Sequence, residues 1–341
     1  MPPLHVAQTF NASYSSKISY TPVAVFIGGT AGIGEATIRA LARYLHGRVH
    51  VILLARTQKS GERVLFSLEK PNDVSVEVMR EFIYCDASLM SSVHAACMEI
   101  TRLLETRLPK LGIQTAKINY LVFSAAYSNL KSSWTEEGID KQLAVRYYHR
   151  FKATYELLPL LRNAKDLGED ARVLSILASG FTWPFDENDF GYKKRRGLGL
   201  ILKGANTNMT AGVYNDLMVE SFAERYPGIS FTHAMPGMVS TENALQHLTS
   251  LFTFHWILKP LETLLQFIFY MLFILPEHSA EYHLYGLLSA DENRNGEIGK
   301  KSFYRRSRWG NEFAYRYHRK DQERLKKQLW EHTIKETKCV E

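Results

Sequence analysis

Gly28, Gly32 and Gly34, within FIGGTAGIG, carry the spacing G-x-x-x-G-x-G and set the first chemical expectation. Glycine lets a backbone turn tightly and come close to a diphosphate with no side chain in between. The run before the loop, VAVFI (23–27), reads as a strand, and the run after it, EATIRAL, reads as a helix. A helix start offers free N–H groups and the positive end of its dipole to an anion. A glycine loop between strand and helix is the context a dinucleotide site requires; a tight turn without a ligand is the plainer alternative. Thr30 and Ile33 share that loop. The second apolar run ends in LLAR. A carboxylate there would grip ribose hydroxyls, whereas Arg56 places a planar cation suited to a 2′-phosphate. The expected cofactor is therefore NADP (NADPH) and not NAD, against a plainer surface arginine.

The elements that must hold this loop follow from the hydrophobic pattern. Short apolar runs at 23–27, 49–55, 82–85, 118–124, 172–177 and 229–234 alternate with segments such as EATIRALARYLH and SVHAACMEITRLLETRL, which repeat apolar residues at helical spacing. Near-continuous apolar strands fit a parallel sheet covered on both faces. The expected fold class is α/β, with a doubly wound, mostly parallel sheet, and residues 1–341 are read as one domain. A hydrophobic content of 45% and a charged content of 23% are ordinary for a globular chain that buries a full core. Cys85, Cys97 and Cys339 show no metal-site or disulfide spacing, so a reducing compartment and no metal are expected. The N-terminal stretch lacks a basic start followed by an apolar run, so no signal peptide is expected.

Two segments depart from the pattern. Residues 251–275 are strongly apolar but interrupted by Lys259, Pro260 and Glu262, too broken for the roughly 20 apolar residues of a spanning helix. We read 246–276 as an apolar lid or an in-plane membrane segment, with an ordinary buried helix as the alternative. Within the C-terminal extension, 297–341, residues 300–327 carry eleven Lys and Arg residues against Glu312, Asp321 and Glu323. A solvated helix face is the simplest reading, and attraction to anionic lipid is the sharper one. Nucleic acid is not expected, because no recognition motif accompanies the charge.

With GGTAGIG, the arginine after the second strand, Cys85–Asp86, LVFSAA and MPGMVST in order, residues 22–245 resemble the short-chain dehydrogenase/reductase family, whose fold is Rossmann-like. The resemblance implies that Asp86 caps the adenine and that Ala125 lies along the cofactor. It implies too that Pro236, Gly237, Val239 and Thr241 line the nicotinamide. FDENDFGYKK resembles an insertion of the retinol-dehydrogenase-like branch. EEGIDKQLAVRYYHRF, LLPLL and WEHT look similar to divergent fungal oxidoreductases, many of them in secondary metabolism.

The family's Asn, Ser, Tyr and Lys are each replaced on this reading. The Asn position reads Arg146 and the Ser position Ala178, with Ser179 next to it. The Tyr and Lys positions fall on Asn208 and Gly212, or in a shifted register on Gly199 and Lys203. Candidate catalytic residues are therefore Arg146, Ser179, Tyr127 and Lys203. Arginine rarely gives up its proton, so Arg146 would stabilise an oxyanion or enolate, pair with an acidic substrate, or bond structurally to Asp140. Tyr127 follows the fourth strand, where ligands collect in open α/β sheets, and either faces substrate or packs in the loop. Tyr148 and Lys152 have the right spacing but precede the fifth strand, and chance explains them. His233 reads as a core histidine.

The expectation is an NADPH-dependent oxidoreductase that reduces a ketone or conjugated alkene of a hydrophobic metabolite. A non-redox isomerase, dehydratase or cyclase on the same fold, and a non-catalytic NADP-binding scaffold, are the alternatives. The expected partner is a small hydrophobic substrate, and the expected location is cytoplasmic. A peripheral membrane contact and a homodimer stay open.

Overall fold

The computed structural model of the protein describes residues 2–73, 75–127, 133–180, 182–194, 203–241, 273–290, 302–312 and 321–339. All six apolar runs become strands of one seven-stranded sheet, β1 (Val23–Ile27), β2 (His50–Ala55), β3 (Arg80–Tyr84), β4 (Tyr120–Phe123), β5 (Arg172–Ile176) and β6 (Ser230–Ala234), and the seventh strand is β7 (Phe303–Arg306). Their order is β3-β2-β1-β4-β5-β6-β7, and every neighbouring pair is parallel. The order reverses between β1 and β4, which opens a crevice beyond the C-terminal ends of those strands.

The helices are α1 (Leu4–Tyr14), α2 (Gly32–Tyr44), α3 (Gln58–Phe66), α4 (Met90–Arg107), α5 (Lys141–Leu143), α6 (His149–Glu156), α7 (Leu158–Asp166), α8 (Lys203–Arg225), α9 (Pro276–Leu288) and α10 (Gln322–Thr337). A π-helical turn, Ala144–Tyr148, joins α5 to α6. The alternation of strand side chains divides the core in two. Val23, Val25 and Ile27 face a cluster built with α4, α6 and α8, while Ala24 and Phe26 face one built with α2 and α9. With both faces covered, every residue of β1 is buried.

At the N-terminal edge of the sheet, Asp170 gathers the hydroxyls of Tyr20 (2.7 Å), Tyr120 (2.9 Å) and Tyr14, and pairs with Arg172 at 2.6 Å. This hub fastens α1 beneath the strands, on the side opposite the crevice.

Among its described residues the basic C-terminal segment is a solvated face only in part: Arg308, Arg324 and Lys327 are exposed. Arg305 and Arg306 lie buried in β7, and Lys326 lies buried on α10. For two of them the physical reason is neutralisation: Arg305 approaches Asp216 and Glu220 of α8, each at 3.2 Å, and Lys326 approaches Glu220 at 3.2 Å and Glu323 of its own helix at 2.7 Å; Arg306 instead donates to the Gly310 carbonyl at 3.2 Å. A buried cation is tolerated when paired in this way. The apolar stretch 251–275 lies outside the described residues except for its last three positions. Among the described residues, no helix is long and apolar enough to cross a membrane.

Burial also sets an acid limit. His50 receives the Met79 N–H on Nδ1 at 3.0 Å, and desolvation, helped by the charge of Lys117, pushes its pKa down to about 4. Burial pushes His283 down to about 4 as well. The unfolded chain takes up these protons near pH 6.5, before the folded chain does, so stability is complete above that pH and falls as pH drops towards 4. Thermal unfolding should show Tm falling by several degrees over this window, and less steeply in His50→Gln; a flat profile would contradict the assignment.

Candidate active site

Close contact between strand ends explains the glycines. Gly28 leaves β1 with φ +83°, and a Cβ there would stand 2.5 Å from the backbone nitrogen of Ala125 at the end of β4. Ser124 donates its hydroxyl to the Gly28 carbonyl, and a Cβ on Gly34 would meet both that hydroxyl and, at 2.7 Å, the same carbonyl. Gly32, at φ +58°, would bring its Cβ to 3.0 Å from Thr241 in the loop after β6. The glycine loop, the end of β4 and the loop after β6 therefore meet at one place on the sheet's C-terminal edge.

The N-cap of α2 is Ala31, which supplies no side-chain bond to the helix start. The first-turn N–H groups thus keep donors for a ligand, together with the dipole's positive end. Arg63 of α3 grips the loop from outside. It donates to the Thr30 carbonyl at 2.8 Å and to both oxygens of Glu35 at 2.9 and 2.7 Å. Glu35 also receives Arg39. The close-packed loop, the open donors and the rigid support fit a dinucleotide diphosphate.

The other expected cofactor residues line the same edge. Arg56 directly follows β2 and is exposed. Asp86, just past β3, accepts the Ser88 N–H and hydroxyl at 2.9 and 2.8 Å, which fixes that turn. Beyond β6, Gly237 takes φ +73° against the Arg308 side chain, Val239 is buried, and Pro236 and Thr241 are half-buried. Ile274 donates to the Met238 carbonyl and accepts from Ser240, both at 3.0 Å, so the residues just before α9 pair with this loop.

A polar network lies under the crevice between β4 and β5. Arg146 sits in the π turn and donates from Nε to the Tyr127 carbonyl at 2.8 Å. It does not pair with Asp140, whose carboxylate caps the N–H groups of Gln142 and Leu143. One turn on, the fully buried Arg150 donates to the Ala125 carbonyl at 2.7 Å, the Ser175 hydroxyl at 2.6 Å and the Ile176 carbonyl at 3.2 Å. Asn215 of α8 accepts from Ser175 at 2.9 Å and donates to the Arg146 carbonyl at 2.9 Å. Burial lowers the pKa of Arg146 to about 10, and burial with the neighbouring Arg146 charge lowers that of Arg150 to about 9, so both are cations at neutral pH.

Ser179 is buried just past β5, and its hydroxyl has no partner among the described residues. The next N–H, that of Gly180, donates to Asp216 at 2.9 Å, and the same carboxylate holds His233 at 2.7 Å. His233 is the core histidine expected. Lys203 opens α8, but its side chain lies outside the described residues, as does Gly199. Gly212 touches the end of β5: a Cβ there would stand 2.5 Å from the Ala178 carbonyl. Tyr148 and Lys152 instead face α10, bonding His332 at 2.8 Å and the Thr337 carbonyl at 2.9 Å.

Sequence reasoning missed Arg63, Arg150 and Asn215. The i, i+4 spacing of Arg146 and Arg150 was the available signal that two cations share a helix face. Nothing local marked Arg63, because its role depends on where α3 docks.

No protein-family model matches the chain. An oxidoreductase of Emericella nidulans is 32% identical over 239 residues, which are 70% of this chain and 64% of that protein. The short-chain dehydrogenase/reductase SAT2 of Stachybotrys chartarum is 29% identical over 272 residues, 77% of this chain and 73% of that protein. The chain spans less than two thirds of the first relatives it matches, 58% and 64% of their lengths. A solved structure of an uncharacterised protein from Mycobacterium paratuberculosis shares the fold, with a TM-score of 0.57 at 16% identity, covering 95% of this chain and 97% of that one.

The grip on Thr30 is testable. Arg63→Ala should weaken NADPH binding by about tenfold, the worth of charge-assisted bonds, in a fluorescence titration while leaving Tm nearly unchanged. Unaltered affinity would show that the loop holds its shape without that arginine.

Proposed function

We propose, on the premise that the chain belongs to the short-chain dehydrogenase/reductase family, that it is an NADPH-dependent oxidoreductase reducing a ketone or conjugated alkene of a hydrophobic metabolite. The observation that carries this reading is the meeting of the glycine loop, the β4 end and the loop after β6 over the crevice. That arrangement suits a dinucleotide laid across the switch point, its diphosphate at the open start of α2. When bound, NADPH would supply a hydride.

The chain's own residues have distinct tasks on this reading. Arg56 binds the 2′-phosphate from its exposed place after β2. Asp86 approaches the adenine, and Pro236, Gly237, Val239 and Thr241 wall the nicotinamide end. Arg146 meets negative charge carried by the substrate, and Ser179 offers its unpartnered hydroxyl to the reacting oxygen from the β5 side. Tyr127, half-buried at the end of β4, supports proton delivery. The apolar composition of 251–275 favours an apolar substrate, and contact with a membrane surface belongs to the same proposal.

Purified protein mixed with NADPH and a panel of hydrophobic enones and ketones should consume the reduced nucleotide and release a reduced product. Product change without consumption would favour a non-redox isomerase, dehydratase or cyclase. Arg56→Asp should cut the preference for NADPH over NADH by about tenfold or more, read from the ratio of affinities. A wild-type protein that binds both equally would remove Arg56 from this role.

A further inference from the structure

Two arginines stand four residues apart at the crevice floor, and among the described residues no carboxylate pairs with either. Elsewhere several buried cations meet carboxylates: Arg172 meets Asp170, Arg305 meets Asp216 and Glu220, and Lys326 meets Glu220 and Glu323, while Arg306 donates to the Gly310 carbonyl and the Ser289 hydroxyl. The terminal nitrogens of Arg150 donate to two carbonyls and one hydroxyl, all neutral, and its buried Nε has no partner among the described residues. Arg146 commits Nε to the Tyr127 carbonyl and is only half-buried, so its terminal amino groups stay available at the end of β4. The Arg146 charge, together with burial, lowers the pKa of Arg150.

We propose that Arg146 and Arg150 form an anion site at the end of β4, and that the substrate carries a carboxylate bound there. The inference rests on the reading that the crevice takes a substrate, and it names that substrate's class: a hydrophobic carboxylic acid. The guanidinium fork of Arg146 matches a carboxylate in two parallel bonds, which a lysine would not do. Arg150 does not reach the ligand. It is a positioning residue that ties the end of β4 to the end of β5 and adds positive potential beneath the site. An entering carboxylate compensates two cations that otherwise repel each other, where a neutral substrate would leave them uncompensated.

The neighbouring groups are consistent with this assignment. The Tyr127 carbonyl orients the Arg146 fork, and Asn215 holds the Arg146 backbone through its carbonyl. Ser179 contributes a buried hydroxyl with no other bond.

The test uses octanoate and octan-1-ol as probes of the full-length protein by calorimetry, with and without saturating NADP. Octanoate should bind about tenfold or more tightly than octan-1-ol, the worth of a charged hydrogen bond. Arg146→Gln should erase that preference while leaving octan-1-ol binding in place. Arg146→Lys, which keeps the charge without the fork, should lose part of it and serves as the readout if the glutamine variant fails to fold. Equal affinity for the two probes in the wild type, or a preference that survives Arg146→Gln, would overturn the site. Absence of heat with NADP alongside an intact octanoate preference would overturn the cofactor reading only, and the anion site would stand.

Discussion

The structure depends on how closely the ends of β1 and β4 approach each other. The Gly28 carbonyl accepts the Ser124 hydroxyl, and neither Gly28 nor Gly34 has room for a Cβ. That approach turns a parallel sheet into a binding edge. It places the uncapped start of α2 over the switch point and lets Thr241, arriving from β6, close on Gly32. A side chain at either glycine would push the loop away from β4 and misplace the donors. The outer clamp, Arg63 with Glu35, then needs only to hold what the glycines permit.

The same edge is supported from below by charge. Asp216 ties the turn after β5 to β6 and β7, through Gly180, His233 and Arg305. Arg150 does the equivalent for β4 and β5 without a carboxylate. The two devices differ in sign and consequence. The first is neutralised within the protein. The second leaves positive potential at the crevice floor, and a buried charge left uncompensated is costly unless something else fixes it there. The contrast with the paired cations at Asp170 and Glu220 gives the arginine pair its chemical meaning.

Much of the scaffold was legible from residue patterns, because period-two burial and glycine spacing are local signals. The six apolar runs match strands β1 to β6, with β3 beginning two residues earlier than read. The seventh strand escaped because FYRR has the composition of a surface segment, and its burial depends on carboxylates eighty and more residues away on α8. The glycine loop and its helix were read correctly in place. Arg150 was passed over, although Arg146 and Lys152 in the same stretch were weighed, because the sequence does not give the phase of that helix against the strand ends. The π turn shifts that phase further, since it widens the helix at Arg146 itself. Contacts made by Arg63 and Asn215 were equally invisible, being set by docking between distant elements.

Hydrogen exchange at the glycine loop tests the central claim most directly. If bare backbone at Gly28–Gly34 and the start of α2 grips the diphosphate, NADPH should slow amide exchange across this segment, and leave the Asp170 hub at the opposite edge unchanged. NADPH binding with no added protection between Gly28 and Gly34 would contradict the account, because the nucleotide would then be held elsewhere.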